Sequence, residues 1–155
     1  MMMPLTCNVL EKLSGKTLCT AESCTGGGIG AALTAVPGSS EVFKGGVISY
    51  TNEIKREILC VPGEWLDKYG AVSPWVAMEM ASGVRGLLHT DVAVSVTGLA
   101  GPGGDEYGHP VGTVYIAYED RERNGVHHYH FEGDREAVRN QATEAALKLI
   151  LLYNE

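Results

Sequence analysis

The stretch Thr17-Leu18-Cys19-Thr20-Ala21-Glu22-Ser23-Cys24-Thr25-Gly26-Gly27-Gly28-Ile29-Gly30 constrains the fold more than any other part of the chain. Residues 17–21 read as a short buried strand, and the glycines after them read as a turn. Ile29, Ala32, Leu33 and Val36 then recur at helical spacing until Pro37-Gly38 stops the pattern. A strand that enters a helix through a glycine turn is the start of an alternating α/β arrangement, in which helices must cover a sheet.

The remaining pattern extends this expectation. Leu5, Val9 and Leu13 predict a first helix of about ten residues with Gly15 as its C-cap. Residues 42–50 carry β-formers around Gly45-Gly46, which predicts a strand with a bulge or bend. Asn52 is placed to cap a short helix running to Leu59. Ser73-Pro74 supplies an N-cap with proline at the first helical position, and Val76, Met80, Val84 and Leu87 mark one face of the helix that follows. Residues 91–97 read as a buried strand ending in the long loop 98–110, and residues 112–118 and 126–131 as two strands. Asn124-Gly125 near the junction of those two supports a hairpin. Val138, Ala142, Ala145, Leu149 and Leu152 give a closing amphipathic helix. Early alternation followed by a late hairpin predicts a three-layer α/β/α sandwich with a mixed sheet, residues 1–155 forming one domain. In such open sheets, ligands gather beyond the carboxyl ends of strands.

A chain of 155 residues can bury roughly 68–70% of the surface its unfolded form exposes, so no disulfide or metal staple is required. With 12 basic against 19 acidic side chains, a formal charge of -7 and no Lys/Arg cluster, the sequence argues against a nucleic-acid partner. Its apolar runs fall short of the roughly 20 residues that span a bilayer, so no membrane partner is expected. Met1-Met2-Met3-Pro4-Leu5-Thr6 lacks the basic and apolar regions of a signal peptide, which places the expected location in the cytoplasm. Cys7, Cys19, Cys24 and Cys60 form no CxxC pair and read as free thiols. The oligomeric state is open, and a homo-oligomer is compatible with everything above.

Glycine contributes 20 residues, about twice the average share of roughly 7%. It concentrates at Gly26-Gly27-Gly28-Ile29-Gly30, at Gly45-Gly46 and between Gly98 and Gly108, as expected of binding-site walls that a backbone must approach closely.

Several of these places can carry chemistry. Residues 20–27 put hydroxyls, a thiol and a carboxylate at a strand end beside free backbone N–H groups, a setting for an anion or for a nucleophile with oxyanion donors. The same residues also fit a plain helix N-cap made by Ser23 or Thr25. Lys55, three residues past Asn52, would lie near the positive end of a helix dipole, which lowers its pKa. A lysine held neutral can take the proton of a serine, although a solvated surface position is the commoner fate of any lysine. Gly98-Leu99-Ala100-Gly101-Pro102-Gly103-Gly104-Asp105 forms an unusually long loop after a buried strand. Arg135 and Arg139 lie one turn apart and can address one phosphate together, with pairing to Asp134 or Glu136 as the alternative. His127, His128 and His130 alternate across a strand without a zinc-like partner spacing, so no metal site is expected. Trp65 and Trp75 read as packing residues.

Seven motifs occur in order: Ala21-Glu22-Ser23-Cys24-Thr25-Gly26-Gly27, Pro37-Gly38-Ser39-Ser40, Tyr50-Thr51-Asn52-Glu53-Ile54-Lys55, Gly70-Ala71-Val72-Ser73, Thr97-Gly98-Leu99-Ala100-Gly101-Pro102-Gly103-Gly104, Pro110-Val111-Gly112-Thr113-Val114, and the run from Gly133-Asp134-Arg135 to Arg139. Over nearly its whole length the chain resembles the CinA C-terminal domain family, the nicotinamide-nucleotide amidases. The resemblance implies hydrolysis of the carboxamide of nicotinamide mononucleotide to nicotinic acid mononucleotide and ammonia in NAD recycling, with no cofactor or metal. It implies Ser23 as nucleophile, Lys55 as its base and Tyr50 beside them. Thr25, Gly26, Gly27, Ser39, Asn52, Thr97, Gly98, Gly101, Gly103, Arg135 and Arg139 are the expected contacts to the nucleotide substrate. Thr25 and Ser39 are further hydroxyls that could serve as nucleophile. Two departures stand out: the larger family members carry an added N-terminal domain, so this chain looks like a stand-alone form, and Gly28 extends the usual double glycine. A non-catalytic nucleotide-binding or regulatory module using the same loops is the reading from another class.

Overall fold

Leu18–Glu22, Phe43–Ile48, Val92–Gly98, Thr113–Glu119 and Asn124–His130 are the strands β1 to β5, and they join into one sheet in the order β2-β1-β3-β4-β5. The structure is a computed structural model that describes residues 2–155. β1 pairs in parallel with both β2 and β3, whereas β4 runs antiparallel to both β3 and β5. The sheet is therefore mixed. Gly45-Gly46 does mark an irregularity: the pairing shifts between Leu18, opposite Phe43, and Cys19, opposite Gly45.

Among the described residues the helices are α1 (Met3–Lys12), α2 (Gly28–Thr34), α3 (Asn52–Glu57), α4 (Gly63–Tyr69), α5 (Pro74–Leu88) and α6 (Arg135–Tyr153), with a 3₁₀ turn at Ser39–Glu41. Both faces of β1 are buried, which explains why its sequence does not alternate. On one face Leu18, Val94, Val96 and Ile116 pack with Val9 of α1, Ile29 of α2 and Leu147 of α6. On the other, Cys19, Ala21 and Ala93 pack with Val76, Met80 and Val84 of α5 and Leu66 of α4. Helices thus cover both faces, which is the three-layer α/β/α arrangement.

Local chemistry differs from expectation at five places. Thr51, not Asn52, caps α3, accepting the Ile54 N–H on its side chain. Gly27, with φ of 99°, is the N-cap of α2, so neither Ser23 nor Thr25 caps it. Asn124 and Gly125 belong to β5 and pair with Glu119 and Tyr118; the reversal is built instead by Asp120, whose carboxylate accepts the N–H groups of Glu122 and Arg123. Leu87 and Leu152 face solvent. α4 has too short an apolar stripe to announce itself and is found only in the structure. No helix among the described residues is long and apolar enough to cross a membrane.

Candidate active site

Because β1, β2 and β3 are parallel, their carboxyl ends open at the same side of the sheet, where Ser23, Ser49 and Leu99 follow them. Lys55 approaches from α3. Its Nζ lies 3.0 Å from Ser23 Oγ, 2.6 Å from the Ser49 carbonyl and 3.5 Å from the Tyr50 carbonyl. At 1% exposure it is among the most buried side chains of the protein. Burial pushes its pKa down to about 8, against a weaker opposing effect of the Cys24 thiol. The lowered value was expected from the helix dipole, nearby arginines and partial burial together; burial is the cause that acts, since removal from water is what disfavours the cation. A neutral amine has two hydrogens and one lone pair. As a cation Nζ donates to Ser23 Oγ and to both carbonyls; loss of the proton facing Ser23 leaves the lone pair aimed at that hydroxyl.

Ser23 and Lys55 line a cavity of about 450 Å³. Tyr50, Asn52, Thr97, Gly98, Gly101, Gly103 and Arg135 also line it, as do Cys24, Ala71, Asp105, Glu106 and Tyr107. Cys24 is a buried neutral neighbour, its pKa pushed up to about 11 by desolvation. Arg135 spans the mouth, donating to the Gly101 carbonyl at 2.7 Å and to the Tyr50 hydroxyl at 3.0 Å.

The loop after β3 is fastened through residues 105–109. The Tyr107 hydroxyl donates to the Asp67 carbonyl at 2.8 Å, and its ring lies against Gly70, where a Cβ would come within 2.6 Å of it. Asp105 accepts the N–H groups of Tyr107 and His109 at 3.1 Å each and pairs with the His109 ring at 2.6 Å. Burial raises the Asp105 carboxyl, but the His109 and Tyr107 hydrogen bonds outweigh it and hold the carboxyl below the usual range.

Not every expected contact gathers here. Ser39 begins the 3₁₀ turn ahead of β2, at the opposite end of that strand, and lines a separate hollow with Cys7 and Leu10. The strand direction removes it from this site, both as contact and as alternative nucleophile. Arg135 and Arg139 do not converge: Arg139 donates to the Cys24 carbonyl at 3.0 Å and the Thr25 carbonyl at 3.3 Å, bracing the turn from outside the cavity. The Thr25 hydroxyl is turned away and donates to Glu22 at 2.8 Å. Gly26 and Gly27 shape the corner without lining the cavity: at Gly26, φ is 61° and a Cβ would lie 3.0 Å from Arg139 Nη2. The Gly26 and Gly28 N–H groups are used within the turn, bonding to the Ser23 and Thr25 carbonyls, whereas the Cys24, Thr25 and Gly27 N–H groups have no backbone acceptor among the described residues. The histidines of β5 are occupied otherwise, His128 stacked on Tyr115 and His127 edge-on to Tyr153.

Glu22 and Tyr107 were given no role from sequence. The signal for Glu22 was its place directly before Ser23 at a buried strand end, where a carboxylate needs several donors.

The sequence pattern of the CinA C-terminal domain matches residues 4–153. The CinA-like protein of Parasynechococcus marenigrum is 59% identical over 108 residues, 70% of this chain and 26% of that protein. That of Thermosipho melanesiensis is 44% identical over 144 residues, 92% of this chain and 36% of that protein. The chain thus spans about a quarter to a third of the length of these curated relatives. Among solved structures, a competence-damaged protein (CinA) superfamily protein from Escherichia coli superposes with a TM-score of 0.96 at 37% identity, covering 99% of this chain and 90% of that one. The competence/damage inducible protein of Agrobacterium tumefaciens gives 0.92 at 37% identity, covering 99% and 96%.

Proposed function

This chain belongs to the CinA C-terminal domain family, and from that premise we propose that it is a nicotinamide-nucleotide amidase, converting nicotinamide mononucleotide and water to nicotinic acid mononucleotide and ammonia. One observation carries the proposal: a buried lysine with a lowered pKa has its Nζ 3.0 Å from a serine hydroxyl at the wall of a cavity. The cavity volume is in the range of small-ligand sites.

In this scheme neutral Lys55 takes the proton of the Ser23 hydroxyl as Oγ attacks the carboxamide carbon. Of the N–H groups around Thr25 to Gly27, those of Thr25 and Gly27 are without a backbone acceptor among the described residues, as is that of Cys24, and these are the donors offered to the resulting oxyanion. Lys55 returns its proton to the amide nitrogen, the C–N bond breaks, and ammonia leaves an ester on Ser23. Water then gives a proton to Lys55 and its oxygen to the acyl carbon, and as the ester C–O bond breaks Lys55 passes that proton to Ser23 Oγ, releasing the carboxylic acid and restoring the hydroxyl and the neutral amine. Arg135, at the cavity mouth, provides the cation for the nucleotide phosphate. The scheme uses no cofactor, and cytoplasmic NAD recycling is its setting.

The test is ammonia release from a panel of pyridine nucleotides by the purified protein. Release from nicotinamide mononucleotide that a chelator leaves unchanged supports the proposal. Tight binding of the nucleotide with no ammonia released at high protein concentration supports a non-catalytic module.

A further inference from the structure

Glu22 stands directly before the nucleophile and is 2% exposed, yet no step above uses it. Its carboxylate receives four donors. Oε1 accepts from the Thr25 hydroxyl at 2.8 Å and the Ile29 N–H at 2.9 Å; Oε2 accepts from the Thr20 hydroxyl at 3.1 Å and the Gly30 N–H at 3.0 Å. These donors belong to β1, to the turn and to the first turn of α2, so one side chain joins all three. Its main chain extends the connection: the Glu22 carbonyl accepts the Ser49 N–H at 2.8 Å, and the Ser49 carbonyl is the nearest acceptor of Lys55 Nζ. Space for the arrangement comes from the neighbouring strand. Gly46 is opposite Thr20, and a Cβ there would come within 2.3 Å of the Thr20 hydroxyl.

We infer that Glu22 is a positioning residue for the proposed hydrolysis, its carboxylate holding the 23–28 turn so that Ser23 Oγ stays against Lys55 Nζ and the Cys24 and Thr25 N–H groups keep their place. The inference rests on Ser23 being the nucleophile. A carboxylate is required because each oxygen already takes a backbone N–H. Either orientation of a glutamine amide therefore sets its NH₂ against one of those N–H groups. The two threonine hydroxyls can turn to suit; the backbone cannot.

The experiment measures phosphonylation of Ser23 by a fluorophosphonate, in which Oγ bonds to phosphorus and fluoride leaves, in the full chain and in Glu22→Gln. The expected rate constant falls at least about tenfold, kcat for the nucleotide falls with it, and KM stays within about threefold, since a displaced nucleophile costs rate more than binding. The Ile29 and Gly30 amides exchange faster while circular dichroism is unchanged. Thr20→Val removes one donor on the side of Glu22 away from the cavity and is expected to slow the labelling about threefold. Labelling within twofold of the parent in Glu22→Gln overturns the inference. If Glu22→Gln does not fold, unchanged labelling in Thr20→Val does so. A parent Ser23 that fails to react overturns the nucleophile assignment as well, whereas a reactive Ser23 indifferent to Glu22 overturns this inference alone.

Discussion

Ser23 and Lys55 are 32 residues apart in sequence, and the parallel pairing of β1 and β2 brings Lys55 Nζ to 3.0 Å from Ser23 Oγ. The contact is buried and polar, so it costs desolvation that only its hydrogen bonds recover. Ser49 and Tyr50, at the exit of β2, supply the carbonyls that fix the amine.

The pH dependence follows from the Lys55 pKa of about 8. Neutral lysine is the reactive form, so kcat/KM is expected to rise about tenfold per pH unit below that value and to flatten above it. A steady-state profile from pH 6 to 9.5 checks this. A flat profile across that range contradicts Lys55 as the base.

Stability should carry the same signature. In the unfolded chain Lys55 keeps its proton up to about 10.5, whereas in the folded protein it loses it near 8. Between these values the unfolded state binds the extra proton, so raising pH favours folding; the full burial cost of the charge stands below pH 8 and is relieved above 10.5. By linkage that difference is worth on the order of 3 kcal/mol. Urea unfolding from pH 7 to 11 should show this rise in the difference between the parent and Lys55→Met, because the Cys19 and Cys24 thiols, pushed up to about 11 by burial, drive the absolute stability of both proteins the other way above about pH 9. Equal slopes would contradict a buried, neutral lysine.

The two arginines should separate kinetically. Arg135 lines the cavity, so Arg135→Ala is expected to raise KM for the mononucleotide by about one to two orders of magnitude, the loss of a charged hydrogen bond of roughly 1.5–3 kcal/mol. The riboside, lacking the phosphate, should be processed less well than the mononucleotide by the parent and little affected by Arg135→Ala. Arg139 braces the Cys24 and Thr25 carbonyls, so Arg139→Ala should lower kcat instead. Equal loss on both substrates in Arg135→Ala removes the phosphate assignment.

What the sequence discloses here depends on how local the cause is. Ser73 and Pro74 fix the start of α5 within a few residues, and Ser73 does accept the Val76 N–H. The buried strands follow from unbroken apolar runs, and the order of strands and helices already points to a mixed sheet between two layers. Ser23 and Lys55 are visible as a serine at a glycine corner and a lysine past a strand. Their distance, and the burial that lowers the lysine, belong to packing across 32 residues. Ser39 failed for a related reason: a hydroxyl beside a glycine looks alike at either end of a strand, and only the strand direction tells them apart. Arg139 sits one turn from Arg135, yet carbonyls of a distant segment claim it. No local pattern encodes that competition.

Two glycines of α5 give a packing test. A Cβ on Gly83 would come within 2.0 Å of the Leu59 carbonyl, while nothing lies within 4 Å of one on Gly86. Gly83→Ala is expected to cost about 1–3 kcal/mol or more and to disturb the segment just after α3, which holds Lys55. Gly86→Ala should be neutral or stabilising by roughly 0.5–1 kcal/mol, since alanine loses less entropy in a helix. Thermal unfolding of both variants distinguishes them, and equal melting temperatures would contradict the close approach of α5 to Leu59.

The most direct measurement of the Ser23 and Lys55 pairing is ammonia release from nicotinamide mononucleotide by the parent, Ser23→Ala, Lys55→Met, Lys55→Arg and the double variant Ser23→Ala/Lys55→Met, all checked for fold by circular dichroism. Groups that act as one unit are grossly non-additive, so each single change is expected to abolish most of the rate and the double variant to be scarcely worse than either. Lys55→Arg should fail as well, because a guanidinium stays protonated and cannot accept the serine proton. Full activity in Lys55→Arg, or in Ser23→Ala with its fold intact, would contradict the mechanism.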